Sequence, residues 1–145
     1  AVCQQFIAEQ DLAVAVTFLG SLSANEMAAE YVRCSLLALP SRQETAPVAI
    51  AEAMAVGRPV VATAICGVPH MIDEGVNGLL VQLGDVNALA YALLRILADA
   101  SLRRRMGASG REMAEARFRA DVVAAQTRQV YLKLQAGPGQ AKHGV

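Results

Sequence analysis

The stretch that decides the fold is "CSLLALPSRQETAPVAIAEAMAVGRPVVATA", residues 34–64. Its two ends, 34–40 and 58–64, are continuous apolar runs, and a helix-forming segment at 48–56 lies between them. Apolar runs that do not alternate with polar residues are typical of strands buried on both faces of a parallel sheet. The stretch therefore predicts a strand, a helix and a second strand of one sheet.

The flanking sequence adds further elements of both kinds. The β-branched and aromatic segment 14–20 and the short apolar segment 78–82 predict two more strands. Helices are predicted in "QQFIAEQDL", in "SANEMAAEYVR", in "ALAYALLRILAD" and in "RADVVAAQTRQVYLKLQ". Ser23 with Glu26 three residues later has the pattern of a capping box, and Asp85 or Asn87 is expected to cap the third of these helices.

The segment "SLRRRMGASGREMAEARF" predicts a broken pair of helices, with Gly107 and Gly110 as the weak points. Taken together, strands that alternate with helices predict an α/β fold: a Rossmann-like open parallel sheet with helices on both faces. The length of 145 residues fits one domain over 1–135, followed by a Gly/Pro-rich tail at 136–145 that we expect to be flexible. The chain lacks an initial Met and begins within a helical pattern, so we expect it to be part of a longer protein.

The composition excludes several classes of protein. Apolar residues make up 54% and charged residues 18% of the chain, which is unlike a disordered protein. The formal net charge is zero, which argues against a general nucleic-acid binder, because neutralising phosphates requires an excess of Lys and Arg. No apolar run approaches the roughly 20 residues needed to span a bilayer, and the first residues lack the basic start of a signal peptide.

The cysteines and histidines do not suggest a metal site. Cys3, Cys34 and Cys66 are far apart and have apolar neighbours, so each is predicted to be a small buried side chain in a reducing compartment. His70 and His143 are too few and too distant from each other to predict metal binding.

A binding site is predicted where two loops leave the sheet. Ligands of open α/β sheets bind beyond the carboxyl ends of the strands, and the loops "PSRQETAP" and "AICGVPH" follow two neighbouring strands. Pro47 suits the first turn of the following helix, so Thr45 or Ala46 is expected near its N-cap. The free amides around residues 45–48 and the helix dipole would attract an anion such as a phosphate.

Two carboxylates accompany these amides. Glu44 lies in the loop, Glu52 lies one helical turn after Val48, and a carboxylate matches a pair of adjacent hydroxyl donors. Amides for phosphate and carboxylates for hydroxyls together suit a sugar nucleotide. The alternative is that Glu44 is a solvated loop charge and Glu52 a helix surface residue. Against that alternative, "AIAEAMA" is apolar on all sides, which predicts a buried helix in which a carboxylate needs a partner.

These residues also carry a resemblance. The pair Glu44 and Glu52, followed by "AEAMAVGRPVVAT", "CGVP" and "GVNGLLVQLGD", resembles the C-terminal half of the glycosyl transferases group 1 family. Members are retaining, nucleotide-sugar-dependent glycosyltransferases of the GT-B fold. The resemblance runs from "TFLGSLS" to "YLKL" and implies that the first strands of the domain, with a basic Arg and Lys pair that grips the diphosphate, would precede Ala1.

The resemblance implies a role for each matching position. Glu44 would be the catalytic residue that contacts the donor sugar near the reacting face, and Glu52 would hold the ribose hydroxyls. The amides of the loop would meet the sugar and diphosphate, and Gly67 would line the cleft. The loop positions are Thr45, Ala46, Pro47 and Val48. No metal or cofactor other than the donor substrate is implied, and Thr63 is as well explained by closing a strand as by touching the ligand.

The sequence departs from the family pattern at both loops. Thr45-Ala46-Pro47 stands where many members have Gly-Phe-Gly, and Cys66-Gly67-Val68-Pro69-His70 stands where many have Gly-Gly-x-Pro-Glu. Because Pro47 lacks an amide, the contact with the sugar is expected to differ in detail. His70 and Arg42 can each be read as touching the ligand or, more simply, as surface residues.

The resemblance also implies partners. The donor would be a nucleotide sugar, and an acceptor sugar, lipid or polysaccharide would bind an N-terminal domain that this sequence lacks, so this chain alone is expected to be inactive. The whole enzyme is expected in the cytoplasm or at a membrane surface, and an exposed sheet edge can pair two copies into a homodimer. Two alternatives stay open: a non-catalytic interaction module of the same fold, and a relative with other chemistry such as an epimerase or phosphorylase.

Overall fold

The computed structural model describes residues 2–135 and places three parallel strands in one sheet. The strands are β1 (Leu37–Leu39), β2 (Val60–Thr63) and β3 (Gly78–Val81), in the spatial order β1-β2-β3. Leu37 pairs with Val60 and Val61 pairs with Leu79, and both ladders are parallel. The prediction of a parallel sheet from continuous apolar runs is confirmed.

Helices connect and flank the strands. They are α1 (Val2–Glu9), α2 (Ala24–Arg33), α3 (Val48–Ala55), α4 (Val86–Ala98), α5 (Ala100–Arg117) and α6 (Ala120–Gln135), with a 3-10 helix at Val68–His70. Ser23 and Glu26 form the predicted capping box at the start of α2. Asp85 caps α4 by accepting a hydrogen bond from the amide of Ala88 at 2.8 Å. These short-range signals were readable because a cap involves only residues within one helical turn.

The central strand β2 is buried along its whole length and separates two apolar cores. Val60 and Ala62 belong to one core, in which α3 contributes Ile50 and Met54 and α2 contributes Tyr31. The alternate residue Val61 belongs to the other core. That core also contains Leu79, Val81, Ala92, Ile96 and Met106. Successive side chains of a strand point to opposite faces, so helices cover both faces of the sheet and the predicted α/β class is confirmed.

Helix α5 corrects the prediction of a broken pair. It is continuous over 18 residues, and its glycines are buried. A Cβ atom at Gly107 would lie 2.1 Å from the carbonyl oxygen of Gly57, so the two backbones touch here. Gly110 packs on the side chain of Met54. The glycines therefore permit close packing of α5 on the rest of the domain, and tertiary contacts outweigh their low helix propensity.

Segment 14–20 is not a strand, contrary to the prediction. All of its residues are exposed, with Val14 at 100% and Phe18 at 56% of full exposure. The side chains have the composition of a strand, but a strand also requires a neighbour that accepts its backbone hydrogen bonds. Within residues 2–135 the sheet contains β1, β2 and β3 alone, and segment 14–20 joins none of them.

The two terminal helices form as predicted, but they bury none of their residues. Within the described range, no helix combines the length and the apolar character that crossing a bilayer demands. The predicted tail at 136–145 lies outside the described residues, as does His143.

Candidate functional site

The carboxyl ends of the three strands open onto a hollow of about 190 Å³. Its lining comes from the segments that follow the strands: Pro40, Arg42, Thr63, Gln82, Gly84 and Asp85. Thr63 is the last residue of β2 and is only 3% exposed, so it lies at the base of the hollow. This is the edge at which ligands of open α/β sheets bind.

The two predicted site loops contact each other at this edge. A Cβ atom added to Gly67 would lie 1.9 Å from the carbonyl oxygen of Thr45, so no side chain fits at this position. The backbone of Gly67 has φ −82° and ψ −9°, which any residue can adopt. Glycine is therefore required here by lack of space and not by an unusual backbone angle. The close approach joins the loop after β1 to the loop after β2.

Glu44 lies in the first of these loops and is half-buried. Its carboxylate accepts a hydrogen bond from the hydroxyl of Ser41 at 2.9 Å. The bond ties the side chain to its own loop, three residues back along the chain. The carboxylate retains further lone pairs for hydroxyl donors of a ligand.

Helix α3 begins at Val48 as predicted, but its N-cap lies one or two residues later than predicted. Pro47, and not Thr45 or Ala46, is the N-cap, with φ −68° and ψ 118°. Proline suits this position because its ring fixes φ and its missing amide would have no helical partner. The amide of Ile50 bonds back to the carbonyl of Pro47 at 3.1 Å. The amides of Val48 and Ala49 belong to the first turn, where a helix provides no acceptor for them.

Glu52 is exposed, which corrects the prediction of a buried helix. Helix α3 packs on the sheet through Ile50, Ala53 and Met54, while Val48 on another side is 67% exposed. An apolar circumference predicted burial all round, but the sheet and the helices α2 and α5 cover only part of α3, and Val48 and Glu52 are exposed. The carboxylate therefore lies in solvent and needs no buried partner.

Apolar hollows lie on both sides of Glu52. The larger, about 430 Å³, lies between α2 and α3 and includes Ser23, Met27 and Tyr31. The smaller, about 230 Å³, extends to Phe118 and Arg119. Burial of the Tyr31 phenol raises its pKa, and the nearby negative charge of Glu52 raises that pKa further. Glu52 is thus an exposed carboxylate at the border of two apolar surfaces.

The cysteines are less buried than predicted. Cys3 and Cys66 are exposed and Cys34 is partly buried, and all three thiols are free. Desolvation raises the pKa of the Cys34 thiol. Cys66 has φ +46°, a left-handed conformation that a residue with a Cβ atom seldom adopts. It occupies a turn directly before Gly67, and such turns lie on the surface whatever the polarity of their side chains.

Three other polar residues near the site have different surroundings. Arg58 donates hydrogen bonds to the carbonyls of Tyr31 and Val32 and so closes the C-terminal end of α2. Arg42 is exposed at the rim of the strand-end hollow. His70 is exposed in the 3-10 helix, and its carbonyl accepts a bond from Arg117 at 2.9 Å. Across residues 2–135, no cluster of His, Cys, Asp and Glu could hold a metal ion.

Sequence reasoning missed the third loop of this edge, residues 82–85. Gln82, Gly84 and Asp85 line the strand-end hollow, and Gly84 has φ +82°. The signal was present, because this segment follows β3 in the same way that the other loops follow β1 and β2. Applying the strand-end rule to all three strands would have found it.

Comparison with known proteins gives consistent matches. The model of the family "Glycosyl transferases group 1" matches residues 2–113. An uncharacterized glycosyltransferase of Methanocaldococcus jannaschii is 30% identical over 131 residues, which are 90% of this chain and 37% of that protein. Sucrose-phosphate synthase from Thermosynechococcus elongatus has a similar structure, with a TM-score of 0.86 and 36% identity over 94% of this chain and 34% of that one.

A third match has a ligand in its structure. Anabaena HepE in complex with UDP-glucose aligns with a TM-score of 0.80 and 26% identity, over 90% of this chain and 36% of that one. The chain therefore spans about a third of the length of these relatives.

Proposed function

Because the chain belongs to the glycosyl transferases group 1 family, we propose that residues 2–135 form the donor-binding domain of a retaining glycosyltransferase. The whole enzyme would move a sugar from a nucleoside diphosphate to an acceptor hydroxyl. The acceptor would be a sugar, a lipid or a polysaccharide, and it would bind another domain. The described region by itself would then bind the donor without transferring it.

One observation carries the proposal: the contact between Thr45 and Gly67, which joins two loops at the carboxyl edge of the sheet. Glu44 and the N-terminus of α3 both adjoin Thr45 in the chain, so this contact supports a site to which the loop after β2 also contributes. In the proposal, the diphosphate accepts hydrogen bonds from the amides of Val48 and Ala49, where the helix dipole favours negative charge. Glu44 accepts hydrogen bonds from hydroxyls of the donor sugar.

Glu52 would bind the ribose of the nucleotide. It is exposed, and the two oxygens of a carboxylate can accept bonds from a pair of adjacent hydroxyls. The hollow between α2 and α3 offers an apolar surface beside Met27 and Tyr31 for the base. The mixture of one carboxylate with apolar walls is typical of a pocket that fixes a ligand through a few polar contacts.

The chemistry that these residues would contribute is positioning and charge stabilisation. As the bond between the sugar and the diphosphate breaks, negative charge grows on the leaving oxygen. The amides at the start of α3 are fixed by the fold and would stabilise that charge without reorganising. Arg42 at the rim of the strand-end hollow would add a positive charge nearby. Holding the donor against the acceptor would supply the rest of the rate acceleration.

We further propose a cytoplasmic location, in which the free thiols stay reduced. We also propose that two copies can pair through the free edge of β1, whose central residue Ala38 is exposed.

A thermal-shift titration tests donor binding. The chain is heated with UDP, GDP or ADP, or with their common sugar conjugates, and ligand at 100 times its Kd should add about 2.7 kcal/mol of stability. We expect a shift with one nucleotide that Glu52→Ala abolishes. Glu112→Ala, which removes another exposed carboxylate from helix α5, should retain it.

If no nucleotide raises the unfolding temperature, the titration is repeated with a chain extended to the length of the relatives. Absence of a shift there as well would contradict donor binding. It would favour the alternative of an interaction module that kept the fold.

A further inference from the structure

Arg117, at the C-terminal end of α5, reaches across to the loop that follows β2 (residues 64–70). Its guanidinium donates a hydrogen bond to the carbonyl oxygen of His70 at 2.9 Å, although the two residues are 47 positions apart in the chain. His70 is the last residue of the 3-10 helix, and the last carbonyls of a helix have no donor within it, so a positively charged donor is favourable there. The bond therefore joins α5 to the loop after β2.

The rest of this loop is held by packing and by short-range bonds. The side chain of Val68 is buried in the core, and Gly67 lies against the loop after β1. Within residues 2–135, the other hydrogen bonds of residues 66–70 are local: the amides of Val68 and His70 each donate to a carbonyl three residues earlier. The bond from Arg117 is thus the one that ties this segment to a distant element of the described structure.

The guanidinium of Arg117 is itself supported by its neighbours. Its central carbon lies 5.6 Å from the centre of the Phe118 ring, which is a cation–π contact. Another of its nitrogens lies 3.7 Å from the sulfur of Met113, one turn earlier in α5. The same sulfur accepts a hydrogen bond at 3.0 Å from the side-chain amide of Asn77, which is fully buried. These contacts connect Arg117 to the core and limit the directions in which its charge can point.

Two nearby arginines in the sequence make a different kind of contact. Arg111 pairs with Glu115 in the same helix at 3.0 Å. Arg119 pairs with Asp121 at 2.9 Å. Both pairs are short-range and exposed to solvent, where an ion pair contributes little to stability. Arg117 instead bonds to the backbone of another element, so its loss would affect a segment outside α5.

We propose that Arg117 is a positioning residue of the donor site: its bond to His70 holds the loop after β2 in place beside the loop after β1. The inference rests on the proposed function, because it requires that the donor bind where these two loops meet. A loop that is already ordered loses less conformational entropy when a ligand binds. The bond should therefore raise the affinity for the nucleotide, and Arg117 acts through the loop and not by touching the donor.

Hydrogen–deuterium exchange tests the hold on the loop without any ligand. In Arg117→Gln the amides of His70 and Met71 should exchange about fivefold faster, because the end of the 3-10 helix opens more often once its carbonyl loses the guanidinium. The amides of α4 should exchange at the rate of the parent chain. Arg111→Gln is the matched control: it removes another exposed arginine from the same helix and should leave the exchange of both loop amides unchanged.

Calorimetric titration with UDP, GDP and ADP tests the effect on the donor site. The nucleotide that the parent chain binds should bind about fivefold more weakly to Arg117→Gln. It should bind equally well to Arg111→Gln, although both variants lose one positive charge. Arg117→Lys keeps the charge and can donate to the carbonyl, but an ammonium group has no plane to lie over Phe118, so this variant should recover part of the affinity. Circular dichroism should show that all three variants are folded.

Several results would overturn the positioning role. Unchanged exchange of the loop amides in Arg117→Gln would mean that the bond does not hold the loop, and faster exchange in α4 as well would mean a general loss of stability. Equal losses of affinity in Arg117→Gln and Arg111→Gln would assign the effect to net charge. A parent chain that binds a nucleotide no more tightly than Arg117→Gln would contradict the positioning role alone. A parent chain that binds none of the three nucleotides, also when extended to the length of the relatives, would contradict the proposed function and this role with it.

Discussion

At the scale of single residues, two neighbours in the loop after β2 obey different constraints. Cys66 has room for its side chain but adopts φ +46°, whereas Gly67 has an ordinary φ but no room for a Cβ atom. The first constraint costs conformational energy, and the second forbids a side chain outright. Sequence alone marks both positions as a turn and cannot tell the two constraints apart.

Gly67→Ala should destabilise the protein by about 3 kcal/mol, because the new methyl group meets a backbone oxygen that cannot move aside by changing rotamer. Urea unfolding measures the change. Gly75→Ala is the control, since Gly75 has φ +77° but open space around it, and it should cost only about 1 kcal/mol. Equal losses in the two variants would mean that the Thr45 contact is not tight.

Tyr31 and Glu52 should be coupled in their titration. Burial and the carboxylate both raise the pKa of the phenol, so Glu52→Gln should lower it toward the ordinary value of about 10. Absorbance of the phenolate between pH 8 and 13, at about 295 nm, follows the change.

The same shift fixes the direction of a pH effect on stability. A pKa raised by folding stabilises the protein below the unfolded pKa, and this contribution is lost as the pH rises through the folded pKa. Stability should therefore fall above about pH 10, and Glu52→Gln should lose less of it. A phenol titration unchanged in Glu52→Gln would show that the carboxylate does not act on Tyr31.

At the scale of elements, α5 shows how packing can reverse a propensity. Gly107→Ala should be destabilising by about 2 kcal/mol, although alanine is the better helix former, because its Cβ would lie 2.1 Å from the oxygen of Gly57. Gly110→Ala should be close to neutral, since the nearest atom is the flexible Met54 side chain at 3.3 Å. Thermal unfolding of the two variants provides the comparison. A stabilised Gly107→Ala would mean that α5 does not touch the Gly57 turn.

The elements that sequence predicted well share a local cause. The capping box of α2, the Asp85 cap of α4 and the apolar runs of β1, β2 and β3 depend on residues close in the chain. The elements that it predicted wrongly depend on distant partners. Segment 14–20 has the side chains of a strand but joins no strand of the described sheet, and α3 is apolar all round but only partly covered.

At the scale of the whole molecule, the edge of β1 that no strand within residues 2–135 covers has a testable consequence. In a parallel ladder alternate amides point to opposite neighbours. The amide of Leu37 bonds to the carbonyl of Pro59, directly before β2, so the amide of Ala38 points outward. If two copies pair through this edge, Ala38→Pro should remove a hydrogen bond of the dimer while leaving the β2 ladder intact. Light scattering should then detect a monomer in the variant and a dimer in the parent at high concentration. A parent chain that stays monomeric would contradict the edge-pairing hypothesis.

The sequence by itself determined the class of the fold, the loops that follow β1 and β2 and the family, because apolar runs, caps and short motifs are properties of neighbouring residues. Only the tertiary structure decided which surfaces those elements present. It placed Glu52 in solvent and brought Gly67 against Thr45. The physical reason is that burial and close approach depend on residues far apart in the chain, which no local pattern contains.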